Sequence, residues 1–213
     1  MKIKRKFHQR YLPRKKKIIA ILSLLSLAGI PSKAAKLAID KVSDQANFVA
    51  HVDFETLLKT EVGKFILAEI KKNPMTQRQL AGIKAAFGVD LEGLGNMTVF
   101  GRGEPEKGII LASGGFNPQQ IEGFFALNEK IETSAYKGKT IYHENRKAFA
   151  IVNEDTIIAG SGEEFVKHGL DVFSGREPSM KKSDLLADLA KAIPYPVAIA
   201  IADLKRIAKL NPP

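Results

Sequence analysis

The sequence predicts an α+β protein: an antiparallel sheet with helices packed mainly on one face, preceded by an N-terminal signal or anchor helix. Three observations predict it. Strand-like runs come in pairs joined by short turns, helical blocks interrupt those pairs rather than alternating with single strands, and a strand–Asp–helix stretch occurs twice, at 48–59 and 198–209. Aligning Asp53 with Asp203 places Phe54 on Leu204, Leu57 on Ile207 and Lys59 on Lys209. Two explanations fit that match: half of a duplicated unit, or two ordinary strands leading into capped helices.

The first 34 residues stand apart. Lys2 to Lys17 carries nine positive charges, Ile18 to Ile30 is a thirteen-residue run with only small polar interruptions, and Pro31 breaks it. Ser32 and Ala34 put small residues at −3 and −1 of a cleavage site. This is the order of a secretory signal, and thirteen residues fall short of the roughly 20 that span a bilayer. An uncleaved anchor with its charges held in the cytoplasm is the alternative. Residues 35–46 form a lead-in, and 47–213 are read as one α+β domain.

Within that domain Phe48, Ala50 and Val52 alternate with Val49, His51 and Asp53, which predicts a strand, and Asp53 is placed to cap the helix that follows. Leu57, Leu58, Val62, Phe65, Ile66 and Ile70 carry a helical stripe ending near Asn73-Pro74. Thr76-Gln-Arg-Gln79 reads as a capping box for a helix through Phe87, which Gly88 ends. Strands follow at 97–101 and 108–114, joined by the turn-rich Arg102 to Lys107. Asn117-Pro118 opens a helix with Ile121, Phe124 and Phe125 on one stripe, Gln120 reaching back to its start. Strands at 140–142, 148–152 and 156–159 form a meander. Ser161-Gly-Glu-Glu164 reads as another capping box, with Ser161 as the cap of a helix that closes at Gly175. A helix starting at Ser183, a strand at 197–202 and a last helix after Asp203 complete the reading.

Composition narrows the function. The chain has 33 Lys and Arg, 23 Asp and Glu, and a net charge of +10. Ten of the basic residues and none of the acids lie in 1–34, so the rest of the chain is neutral, and a nucleic-acid partner is not expected. The chain has no Cys, which excludes a disulfide framework, a thiol nucleophile and a lipobox anchor.

The chemical motifs are sparse. Gly160-Ser161-Gly162 lies where phosphate-binding loops occur, but Phe165 replaces the third glycine of the fingerprint, and Glu163 and Glu164 supply the negative charge at that helix start themselves. His51 and Asp53 share a strand face and His143-Glu144 ends another strand. They are the candidate metal or hydrolytic residues, although the sequence does not bring them together. His168 reads as solvated, and His8 falls in the leader. Ser113 lacks a nucleophile elbow because position 111 is Leu. Tyr136, Lys137, Lys139, Tyr142, Arg146 and Lys147 come closest to a base-stacking platform and read as a solvated hairpin. No catalytic, cofactor-binding or metal-binding residue is assigned, and no cofactor is expected.

From Phe48 to Gly175 the chain resembles uncharacterised secreted α+β proteins of planctomycete- and verrucomicrobia-type bacteria. The resemblance rests on Phe87-Gly88-Val89-Asp90, Phe116-Asn117-Pro118, Tyr136-Lys137-Gly138 and Ile158-Ala-Gly-Ser161. These are turns and caps, so the resemblance implies a fold and a secreted location, and no activity. The expectation is an exported protein, periplasmic or secreted, acting as a non-catalytic binding or scaffolding module of the cell envelope. Its expected contacts are protein partners or further copies of itself, with the membrane touched only through an uncleaved N-terminal segment. Two other readings stay open. One is an envelope hydrolase or metal enzyme using His51, Asp53 and His143. The other is a carrier of a small molecule or lipid, which requires an apolar cavity between helices and sheet of roughly 300 Å³ or more.

Overall fold

The computed structural model describes residues 21–22, 36–104, 107–182, 185–193 and 196–210. Apart from Ile21 and Leu22, the signal or anchor segment lies outside the described residues.

Alternation of buried and half-buried residues is clearest in β2 and β9, and the strands join into one antiparallel sheet. In chain order they are β1 (Ile21–Leu22), β2 (Phe48–Asp53), β3 (Leu94–Gly101), β4 (Ile109–Gly114), β5 (Glu132–Tyr136), β6 (Lys139–Glu144), β7 (Lys147–Asn153), β8 (Thr156–Gly160) and β9 (Ala198–Ala202). The spatial order is β1-β9-β2-β3-β4-β8-β7-β6-β5. The α+β class is as the sequence predicts. The two strand–Asp–helix stretches turn out to be neighbours: β2 and β9 pair antiparallel with Ala50 opposite Ala200, and the Asp53 and Asp203 amides donate to Val197 and Asn47 respectively. The two strands are thus related by a local twofold.

Helices are α1 (Phe54–Leu57), α2 (Glu61–Lys72), α3 (Pro74–Phe87), α4 (Pro118–Ala126), α5 (Glu163–Phe173), α6 (Leu185–Ala192) and α7 (Leu204–Leu210). On one face of the sheet α5, α6 and the lead-in enclose the larger core, in which Leu37, Val42, Phe100, Ile141, Ile158 and Val166 are almost fully buried. On the other face α3 and α4 cover a second cluster around Val89, Phe116, Ile121 and Ile157. Ile157 and Ile158 are successive residues of β8, so the period-two geometry of a strand assigns one to each core.

Several local expectations change. The single helix expected from Asp53 onward is two. Thr60 caps α2 by accepting from the Gly63 amide at 3.0 Å, and a Cβ at Gly63 would lie 1.9 Å from the Leu57 carbonyl oxygen, so only glycine allows the chain to turn there. α3 starts at Pro74 rather than Thr76, because Asn73 Oδ1 already accepts from the amides of Met75 and Thr76. Gln120 does not return to its own helix start. Its amide donates to the carbonyls of Lys84 and Ala85, closing the end of α3. The cap of α5 is Gly162, with no side-chain bond, while Ser161 Oγ accepts from the Gly108 amide. β5 is an additional strand. Its Glu-Thr-Ser-Ala-Tyr run lacks large alternating apolar residues because it is an edge strand that pairs only with β6.

Candidate functional site

His51 and Asp53 lie on the α5–α6 side of the sheet and are enclosed. His51 is 1% exposed, and its Nδ1 is hydrogen-bonded to Thr98 Oγ1 at 2.8 Å. Asp53 acts as the expected cap, its carboxylate accepting from the Thr56 amide and hydroxyl, both at 2.9 Å. His143 lies on β6, five strand positions from β2 and so about 24 Å away at the usual spacing. Its ring is 3.9 Å from the Glu132 carboxylate. The three residues are therefore not assembled into one site, which overturns the hydrolase or metal set. No group of three metal-ligating side chains occurs among the described residues.

His168 is not a free solvated side chain. Its Nε2 is hydrogen-bonded at 2.9 Å to Ser43 Oγ, tying α5 to the lead-in, and Ser43 is 3% exposed. The β5–β6 end of the basic hairpin is engaged as well. The Tyr136 hydroxyl and Lys137 ammonium donate to Asp171, and Tyr142 is buried against Phe149. The Tyr136 ring is half-buried beneath Lys137 and Lys167, and Tyr142 faces the aromatic cluster, so the two rings do not share an exposed surface.

The feature that stands out is a cavity of about 540 Å³ between the sheet and the α3–α4 pair. Its floor is one cross-strand row, Val99–Ile110–Ala159–Phe149–Tyr142, in which each residue is the register partner of the next. Phe87 at the end of α3 and Phe125 near the end of α4 form its roof. Their rings stand 5.5 and 4.8 Å from that of Phe149, and the Tyr142 ring stacks on Phe149 at 4.9 Å with 12° between planes. Ring pairs at these separations are favourable contacts, so Phe87, Phe125, Phe149 and Tyr142 form one closed aromatic wall that sets how far α3 and α4 stand from the strands. Burial and the Glu122 carboxylate raise the Tyr142 phenol above its ordinary pKa, which keeps it neutral. Ile110 is 36% exposed, so the floor is reached from outside.

One end of the cavity is polar. Two residues further along the strands, the next row on this face is Ser161, Lys147 and Glu144, and all three line the cavity. The sequence reading identified Phe87, Phe125 and Phe149 as core residues or strand members. It missed the space between them, because the distance between a helix pair and a sheet is not written in either.

No protein-family model matches the chain, and no curated protein is similar to it in sequence. Among solved structures it is similar in fold to TP0453. The alignment to crystal form III has a TM-score of 0.50 at 11% identity and covers 72% of this chain and 56% of TP0453. That to crystal form I has a TM-score of 0.48 at 12% identity, covering 76% and 58%. The chain thus spans just over half the length of TP0453, and the likeness is one of fold alone.

Proposed function

We propose that this is an exported, non-catalytic binding protein of the cell envelope that holds an apolar small molecule between its sheet and the α3–α4 pair. The observation that carries the reading is the cavity. At about 540 Å³ it exceeds the roughly 300 Å³ at which ligand sites begin, and its floor and roof are aliphatic and aromatic. Moving apolar surface from water into such a space is favourable by about 25 cal/mol per Å², enough to retain a ligand without a single specific polar contact. Export rests on the basic, apolar and small-residue order of residues 1–34 and on the charge neutrality of the remainder. Among the described residues no helix is long and apolar enough to cross a membrane.

The test is fluorescence titration with N-phenyl-1-naphthylamine, a neutral apolar probe. Saturable binding of one molecule per chain is expected. Ala159→Phe, which fills the middle of the floor, should weaken it at least tenfold while the far-ultraviolet circular dichroism stays unchanged. Absence of saturable binding by the unaltered protein sinks the cavity reading. Export is tested separately by fractionating a diderm host. A soluble periplasmic species beginning at Ala35 is expected, and a cytosolic species retaining Met1 contradicts it.

A further inference from the structure

The cavity is not uniformly apolar, and its asymmetry says what kind of molecule fits. The aliphatic and aromatic row crosses five strands, a span of roughly 19 Å at the usual interstrand spacing. The polar row of Ser161, Lys147 and Glu144 borders it on one side only. On the other side the strands run under Phe116 and Ile121 into the second core cluster, where Ala112, Ile151 and Ile157 pack. Over β4, β8 and β7, a molecule lying on this floor therefore has the polar row along one edge and the apolar cluster along the other.

The polar edge carries both charges, and neither is paired among the described residues. Glu144 and Lys147 are cross-strand partners on the cavity face of the β6–β7 hairpin. Neither side chain makes a hydrogen bond or ion pair among the described residues. Elsewhere lysine–carboxylate contacts are common, as in Lys64–Glu61 at 2.7 Å, Lys71–Glu92 at 2.7 Å and Lys107–Glu104 at 2.8 Å. Ser161 Oγ accepts from the Gly108 amide at 3.3 Å, and its hydroxyl proton donates to no described group, which leaves it available to an acceptor beside Lys147.

Building on the cavity reading, we infer that the occupant is a single-chain amphiphile with a zwitterionic head. The chain lies on the Val99–Ile110–Ala159 part of the row, against the Phe87, Phe125 and Phe149 rings. The anionic part of the head meets Lys147 and Ser161, and the cationic part meets Glu144. A purely anionic head would be set against the Glu144 carboxylate and a purely cationic one against the Lys147 ammonium, whereas a head carrying both charges satisfies each.

The experiment compares three molecules with the same twelve-carbon chain: dodecylphosphocholine, dodecanoate and dodecyltrimethylammonium. Each is titrated below its micellar concentration as a displacer of N-phenyl-1-naphthylamine. The zwitterion is expected to bind at least threefold tighter than either singly charged chain. Lys147→Gln should weaken dodecylphosphocholine and dodecanoate about threefold to fivefold relative to the variant's own affinity for the neutral probe, the range of an exposed ion pair. Glu144→Gln should weaken dodecylphosphocholine and dodecyltrimethylammonium in the same proportion. Equal affinity for the three heads, or a ranking that neither variant alters, overturns the head assignment while saturable probe binding leaves the cavity reading intact. Loss of probe binding itself overturns both.

Discussion

The two faces of this sheet are packed by opposite means. On the α5 side the helix lies directly on the strands. A Cβ on Gly169 would sit 2.9 Å from Ile158 Cγ2 and 3.2 Å from Ile109 Cγ2, so glycine is what lets the helix come so close. Val166, Leu170 and Val172 are then almost fully buried, each side chain contributing about 1.5–3 kcal/mol. On the other side the contact residues are phenylalanines rather than a glycine. Phe87 and Phe125 meet Phe149 ring to ring and hold α3 and α4 off the strands. Removing a side chain at the contact closes one face, and enlarging the side chains opens the other. One face gives the sheet its stability, and the other gives it a space to fill.

The sharpest way to break this comparison is to open the closed face. Gly169→Leu forces a branched side chain against Ile158 and Ile109 and is expected to cost about 3 kcal/mol by overpacking, read as a fall in the urea midpoint. A loss under about 1 kcal/mol would show that α5 can move outward and that the contact is not tight.

The converse change collapses the open face. Phe125→Ala removes the ring that meets Phe87, Phe124, Tyr142 and Phe149. Because Phe125 is only half-buried, about 2 kcal/mol of stability should be lost, below the range for a fully buried Phe. Probe affinity should fall at least tenfold as the roof loses its post. Unchanged affinity would mean that α4 is not the roof.

The smallest effect concerns how the β5–β6 hairpin is fastened to the closed face. Asp171 on α5 is 11% exposed in its side chain. Burial alone would raise its pKa, but hydrogen bonds from Tyr136, Arg176 and Lys137 outweigh it and lower the carboxyl to about 2. A carboxylate lowered in the folded state stabilises the protein above its ordinary pKa near 4, and that contribution is lost as pH falls through about 2. A shift of this size corresponds to roughly 2 kcal/mol, and screening of the partly exposed Lys137 and Arg176 reduces it, leaving about 1 kcal/mol. Asp171→Asn should therefore lower stability by about that amount at pH 7, with the gap to the unaltered protein narrowing between pH 4 and pH 2. A gap independent of pH would mean that the hydrogen bonds, and not the charge, hold the hairpin.

Much of the fold was legible in the chain because its signals act over short range. Asp53 caps the helix beginning one residue later, and Asn117 with Pro118 opens α4 within three residues. Gly88 and Gly175 end α3 and α5 in the left-handed conformation. The alternation of the meander from β6 to β8 is equally local. Where signals compete over a few positions the sequence is ambiguous. Thr76 and Ser161 both have the pattern of a cap, and both lose to a neighbour, Asn73 Oδ1 in one case and the bare Gly162 backbone in the other.

The sequence by itself determined the α+β class, the placement of most strands, several helix ends, and the charge difference between the basic first 34 residues and a neutral remainder. Only the tertiary structure decided that Asp53 and Asp203 stand on paired strands, that His51 and His143 are far apart, and that a cavity lies over β4, β8 and β7. The reason is range. A cap or an alternation is settled among residues within about four positions, whereas Val99, Ala159 and Tyr142 meet in one row only after separate segments have paired in register. The height of the roof above that row depends on rings contributed by three different elements.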